Sequence, residues 1–160
     1  MKKSHFYFLI LALIVFVISC SKNNNPAPVT PPTRTGLYVL NQGLYGANNT
    51  TFTYYDFTTS TPVTDYFRNV NGFGLGDTGS DFIIYGSKIY IVINNSGYVA
   101  VAKTLNTVFL DTISFINSGA NRGPENIVAA GGKIFVSSTD GTVAVIDTGS
   151  LTIQKFITVG

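Results

Sequence analysis

The sequence predicts an all-β fold assembled from repeated antiparallel sheets. Three observations carry this expectation. Short runs rich in Val, Ile, Phe, Tyr and Thr recur through residues 36–160, each bounded by Gly, Asn or Asp-Gly; that is the composition of pleated, half-buried strands and their turns. No window sustains a helical period. Charged residues make up only 11% of the 160 and aromatics 13%, a balance that favours a folded body over disorder.

Met1–Cys20 reads as a targeting segment. Lys2 and Lys3 form a positive n-region and Phe6–Ile18 is an unbroken apolar run, too short to span a bilayer comfortably but suited to a signal-peptide core. Val17-Ile18-Ser19-Cys20 resembles a bacterial lipobox. The resemblance implies that Cys20 is lipidated and becomes the mature N-terminus; the alternative is a plain signal peptide, or a membrane helix, with an incidental cysteine. Ser21 stands where an inner-membrane lipoprotein often has Asp, which implies an outer-membrane, lipid-anchored address. The cell surface is the expected side and the periplasmic face the alternative. Cys20 is the sole cysteine, so no intramolecular disulfide can form. Removing Lys2 and Lys3 leaves eight Lys+Arg against eight Asp+Glu. The mature chain is near neutral, without the basic patch a nucleic-acid partner would need.

Residues 21–35 (SKNNNPAPVTPPTRT) hold four of the six prolines and read as an extended tether. The domain follows as residues 36–160. Strands are expected at Leu37–Asn41, Thr51–Phe57, Val63–Phe67, Asp81–Tyr85, Lys88–Ile93, Tyr98–Lys103, Val108–Phe115, Glu125–Ala130, Lys133–Ser138, Thr142–Asp147 and Thr152–Val159. Glycine-rich loops are expected at Gln42–Asn49, Asn69–Gly79 and Asn117–Pro124. Asp140-Gly141 suits a tight hairpin, because Gly accepts the positive φ such turns need.

The strands repeat. GSKIYIVINNSGYVAV from Gly86 aligns with GGKIFVSSTDGTVAV from Gly131, and a poorer copy starts at Leu37. The spacing of about 45 residues is that of a four-stranded propeller blade. Blades are expected at about 36–70, 80–116 and 125–160, the first lacking its innermost strand. A propeller ring needs roughly four to eight blades, so the expectation is an incomplete ring from a longer protein. The alternative is a short product that closes by oligomerising.

KIYIVINNSGYVAV and KIFVSSTDGTVAVIDTGSLTIQKFITVG resemble YVTN-type β-propeller repeats. GLYVLNQGLYGANNTTFTYYD with NGFGLGDTGSDFIIYGSKIYIVINNSG is similar to surface propeller lipoproteins of Bacteroidota, some of which bind cobalamin beside a TonB-dependent transporter. The resemblance implies a ligand-binding rather than catalytic protein, with a small-molecule ligand such as a corrinoid and a transporter as partners. The alternatives are a structural or adhesive surface protein that binds glycan or protein, and a propeller-type lyase. Asp111-Thr112-Ile113 also resembles the short O-glycosylation signal of that group.

The residues themselves exclude several chemistries. The sole histidine is His5, inside the leader, so Ser-His-Asp or Cys-His catalysis and a His-ligated metal cannot be built from residues 36–160. Gly74–Gly79 matches GxGxxG, but a strand follows it where a dinucleotide site needs a helix N-terminus; it reads as an inter-blade loop, and no cofactor is expected. Asp77 and Asp81 with Gly76 could make an oxygen-rich calcium loop, but lack the alternation of known ones; no metal site is expected. Asp56 and Asp147 end matching strands and read as turn-fixing carboxylates. The loops that join blades, with those within blades after the second strand, should gather Tyr45, Asn48, Asn71, Phe73, Asn95, Tyr98, Asn121 and Arg122 on one face. Aromatic area beside orienting amides suits a polar organic ligand, although Asn is also simply a turn residue.

Overall fold

The structure is a computed structural model that describes residues 35–160. The leader, Cys20 and all of the tether but Thr35 lie outside the described residues. The first sheet contains β1 (Gly36–Asn41), β2 (Thr51–Asp56) and β3 (Thr61–Val63), in that order. The second contains β4 (Gly79–Tyr85), β5 (Lys88–Ile93), β6 (Tyr98–Lys103) and β7 (Phe109–Ser114). A two-stranded ribbon, β8 (Ile116–Asn117) and β9 (Ala120–Asn121), leads to the third sheet. That sheet is β10 (Pro124–Ala130), β11 (Lys133–Ser138), β12 (Thr142–Asp147) and β13 (Ile153–Thr158). All pairings are antiparallel between chain neighbours, so each large sheet is a meander. The chain is all-β, with three, four and four strands per blade.

Burial distinguishes the blades. In β5 every residue after Lys88 is buried, whereas β11 alternates strictly between buried and half-buried. A strand covered on both faces loses the period-2 pattern; one covered on a single face keeps it. The middle blade is accordingly sandwiched. One face packs Ile89, Ile91, Ile93, Ala100 and Ala102 against Phe52 of the first blade. The other packs Tyr90, Val92, Val99 and Val101 against Ile134, Val136, Ala144 and Ile146 of the third. Tyr38 stacks on Phe52 at 5.0 Å and Phe82 meets Phe52 edge-on at 5.1 Å, so Phe52 ties two blades together.

The repeat extends to hydrogen bonding at the strand ends. Lys88 pairs with Lys103, Lys133 with Asp147, and Gly36 with Asp56. At these matched positions the N–H groups of Thr104, Thr148 and Phe57 donate to the carbonyls of Ser87, Gly132 and Thr35. Asp56 and Asp147 each accept two N–H bonds from the turn that follows, as turn-fixing carboxylates should.

Two expectations need correction. Val63–Phe67 is not a strand: β3 ends at Val63, and Tyr66–Asn71 forms a short helix, α1. Asp65 sits in the left-handed region at φ 47° before it, and Gly72 closes it at φ 77°. A six-residue helix with one buried side chain, Phe67, has no room to show a helical period. Residues 117–124 are not wholly a loop, since they contain part of the β8–β9 ribbon.

Tyr90 is fully buried, and its hydroxyl has no hydrogen-bond partner among the described residues. Burial also pushes its ionisation upward. The matching residue in the third blade is Phe135. An unpaired buried hydroxyl is a net cost, so Tyr90→Phe is expected to raise stability by up to about 1 kcal/mol, read by chemical denaturation. A clear loss would mean the hydroxyl is hydrogen-bonded in solution.

Candidate functional site

In a meander, alternate turns lie at opposite ends. The β1–β2, β5–β6 and β11–β12 connections therefore share one end with the starts of β4 and β10. Two of these segments, the β1–β2 loop and the entry to β4, are tied together there by Thr50, which is fully buried. Its N–H donates to Gly76 O at 3.1 Å, its hydroxyl donates to Gln42 O at 2.8 Å, and Gly79 N donates to its Oγ1 at 2.8 Å. A Cβ on Gly79 would come within 2.6 Å of the Thr50 methyl, so the close approach requires glycine.

Asp77 is the second organiser. It is 6% exposed, and its carboxylate accepts Asn95 Nδ2 at 2.6 Å, Gly46 N at 2.8 Å and Thr78 Oγ1 at 3.0 Å. The Asn95 bond, foremost, holds its pKa below the ordinary value; burial opposes this, and the Thr78 and Gly46 bonds reinforce it. Within the 42–49 loop, Leu44 N donates to Asn49 Oδ1 and Ala47 N to Leu44 O. The loop is thus fixed at its base while its tip projects: Leu44 is 71% and Tyr45 81% exposed.

The structure places the sequence-derived residues unevenly. Tyr45 and Asn48 lie on the projecting loop, Asn48 at φ 54°. Asn95 is engaged by Asp77, and the Tyr98 hydroxyl donates to Leu75 O at 2.5 Å. Asn121 donates to the Asn94 and Asn95 carbonyls and accepts from Gly123 N. Arg122 pairs with Asp140 at 2.6 Å, and its guanidinium lies 4.0 Å over the Phe156 ring. These four hold the loop face together. Asn71 and Phe73 are brought elsewhere. Asn71 bonds Thr107 O and Phe109 N at the β6–β7 turn, the opposite end of the middle blade, and Phe73 packs edge-on against Phe67 and Phe109.

Asp81 does not join Asp77. Its two oxygens accept Phe82 N and Ile127 N, across the seam to the third blade. Among the described residues no three His, Cys, Asp or Glu side chains converge. What the face offers a ligand is apolar and aromatic area at Leu44 and Tyr45, with exposed amides at Gln42 and Asn48. Leu44 and Gln42 were missed in the sequence, where nothing separates a projecting loop apolar residue from a buried one.

No protein-family model matches the chain, and no curated protein matches it. Solved structures do. Hydrazine synthase of Kuenenia stuttgartiensis is similar over 69% of this chain and 30% of its own, at 16% identity and TM-score 0.54. Apo AztD from Citrobacter koseri is similar over 79% and 33%, at 17% identity and TM-score 0.53. The computationally designed Ika8 protein is similar over 72% and 32%, at 14% identity and TM-score 0.50. The chain spans about a third of the length of these structures. At such identities the likeness shows the fold alone, a set of propeller-type blades.

Proposed function

We propose that the chain is an outer-membrane-anchored β-propeller lipoprotein, of the YVTN-type repeat class found in Bacteroidota. It captures a polar organic nutrient, a corrinoid for instance, for delivery to a transporter. The observation that carries the binding reading is the 42–49 loop. Its base is immobilised by Asp77, Asn49 and Thr50, while Leu44 and Tyr45 stand in solvent. A rigid support under an exposed aromatic lowers the entropy lost on binding. Cys20, by its lipobox resemblance, supplies the anchor, so no face of the blades has to bind lipid.

Calorimetric titration with cobalamin tests the capture reading. Saturable heat is expected from the native chain. Tyr45→Ala should weaken binding about tenfold or more, since one buried aromatic contact contributes about 1.5–3 kcal/mol. No heat and no change in melting temperature with the native chain would remove the corrinoid. Anchoring is tested separately by radiolabelled palmitate, which should label the native chain in cells and not Cys20→Ala.

A further inference from the structure

The two seams between blades are bridged by different donors at one matched place, and the difference leaves a hydroxyl over. At the first seam Tyr38 Oη donates to Thr104 O at 3.2 Å and accepts from Thr107 Oγ1 at 3.3 Å. Strand register matches Tyr38 to Tyr90, since Gly36 pairs with Asp56 as Lys88 pairs with Lys103. Thr104 falls on Thr148: they follow Lys103 and Asp147, and their N–H groups donate to Ser87 O and Gly132 O. Thr107 falls on Leu151. Their N–H groups return to Lys103 O and Asp147 O, and their φ angles are 58° and 57°.

The same backbone therefore sets Tyr90 at the second seam where Tyr38 stands at the first. Tyr90 lacks both partners of Tyr38, for separate reasons. Leu151 brings no hydroxyl. The Thr148 carbonyl is held by Lys88 Nζ at 3.0 Å, and a charged donor makes the stronger bond. The residue matched to Lys88 on the first blade is Gly36, so no side chain competes with Tyr38 there. The Tyr90 hydroxyl is left fully buried, without a hydrogen-bond partner among the described residues. Burial foremost, then the charge of Asp147 and the Tyr85 phenol, raises its ionisation. The influence of Asp147 sets the ring beside the turn that carries Thr148.

We propose that Tyr90 is a second donor for the Thr148 carbonyl, shut out by Lys88 and engaged when Lys88 leaves it. The seam then has two closed states, one held by Lys88 and the other by Tyr90, and the second repeats the bond that Tyr38 makes. The exchange needs only side-chain movement, because Tyr38 reaches its carbonyl from the same backbone position. Lys88 is half-buried at the start of β5. It lies directly across the strand pair from Lys103, a like charge that favours its departure into solvent.

A double-mutant cycle on the full chain, read by chemical denaturation, tests this. With Lys88 present, Tyr90→Phe removes an unpaired hydroxyl and should raise the folding equilibrium constant by up to about fivefold. In Lys88→Met, which keeps the aliphatic stem, the same change removes the bond to Thr148. It should then lower that constant about two- to tenfold. The reversal of sign is the signature of the exchange. A gain from Tyr90→Phe in both backgrounds, or a loss in both, would overturn the proposal. If Lys88→Met fails to fold, Leu151→Thr replaces it. The new hydroxyl recreates the Thr107 partner at the second seam, so Tyr90→Phe should again turn from a gain to a loss. An unchanged sign there would overturn the match between the seams on which the proposal rests.

Discussion

Replacing Phe52 with alanine is expected to destabilise the domain by about 3–5 kcal/mol. Phe52 is fully buried between the first two blades, stacked on Tyr38 and edge-on to Phe82. Its loss removes a large apolar surface and leaves a cavity between the two blades. Because whole domains are stable by only about 5–15 kcal/mol, the variant should lie near the edge of folding. Chemical denaturation would read the change, with the tyrosine-rich first blade exposed earliest. A stability within 1 kcal/mol of the native chain would mean that the first blade does not pack on the second as described.

Asp77→Ala is expected to release the 42–49 loop while leaving the blades intact. The carboxylate accepts three donors from three segments, and an alanine offers none of them an acceptor. The Gly46 amide should exchange with solvent about tenfold faster or more, since a buried bond is lost. The same group sets a pH dependence. Its folded pKa lies below the ordinary 3.8, so in acid the unfolded chain takes up the proton first. Its contribution is fully present above that ordinary value and is lost as pH falls through the lower folded value. Asp140 and Asp147 are depressed as well, led by the Thr142 hydroxyl and the Ser150 N–H respectively. The native melting temperature should therefore drop steeply in this acid range, and that of Asp77→Ala less steeply. Equal slopes would mean that Asp77 is not held by these donors.

The blades were legible in the sequence because their information is local. Val, Ile and Phe at alternate positions between Gly-bounded turns specify strands, and the match of Lys88 to Lys133 specifies the repeat. Which blade is sandwiched was not legible: KIFVSS carries three consecutive apolar residues much as KIYIVI does, and it alternates only in burial. The helix at Tyr66–Asn71 was not legible, because one turn and a half carries no period and its start depends on Asp65 adopting φ 47°. The loop face was legible only in part. Tyr45 and Asn48 are exposed there, but Asn95, Asn121 and Arg122 serve the scaffold, and Asn71 closes a turn at the other end. Residue type places an amide in a loop. It does not say whether its partner is a ligand or the neighbouring chain, and that is settled only by which loops the blades bring together.

Amide hydrogen exchange of the full chain, with and without saturating cobalamin, tests the central claim most directly. The account predicts slower exchange confined to the 42–49 loop and the adjoining 74–78 and 94–97 segments, and no change at the turns of the opposite end, 86–87, 104–108 and 131–132. Protection at that opposite end, or none at the 42–49 loop, would contradict it.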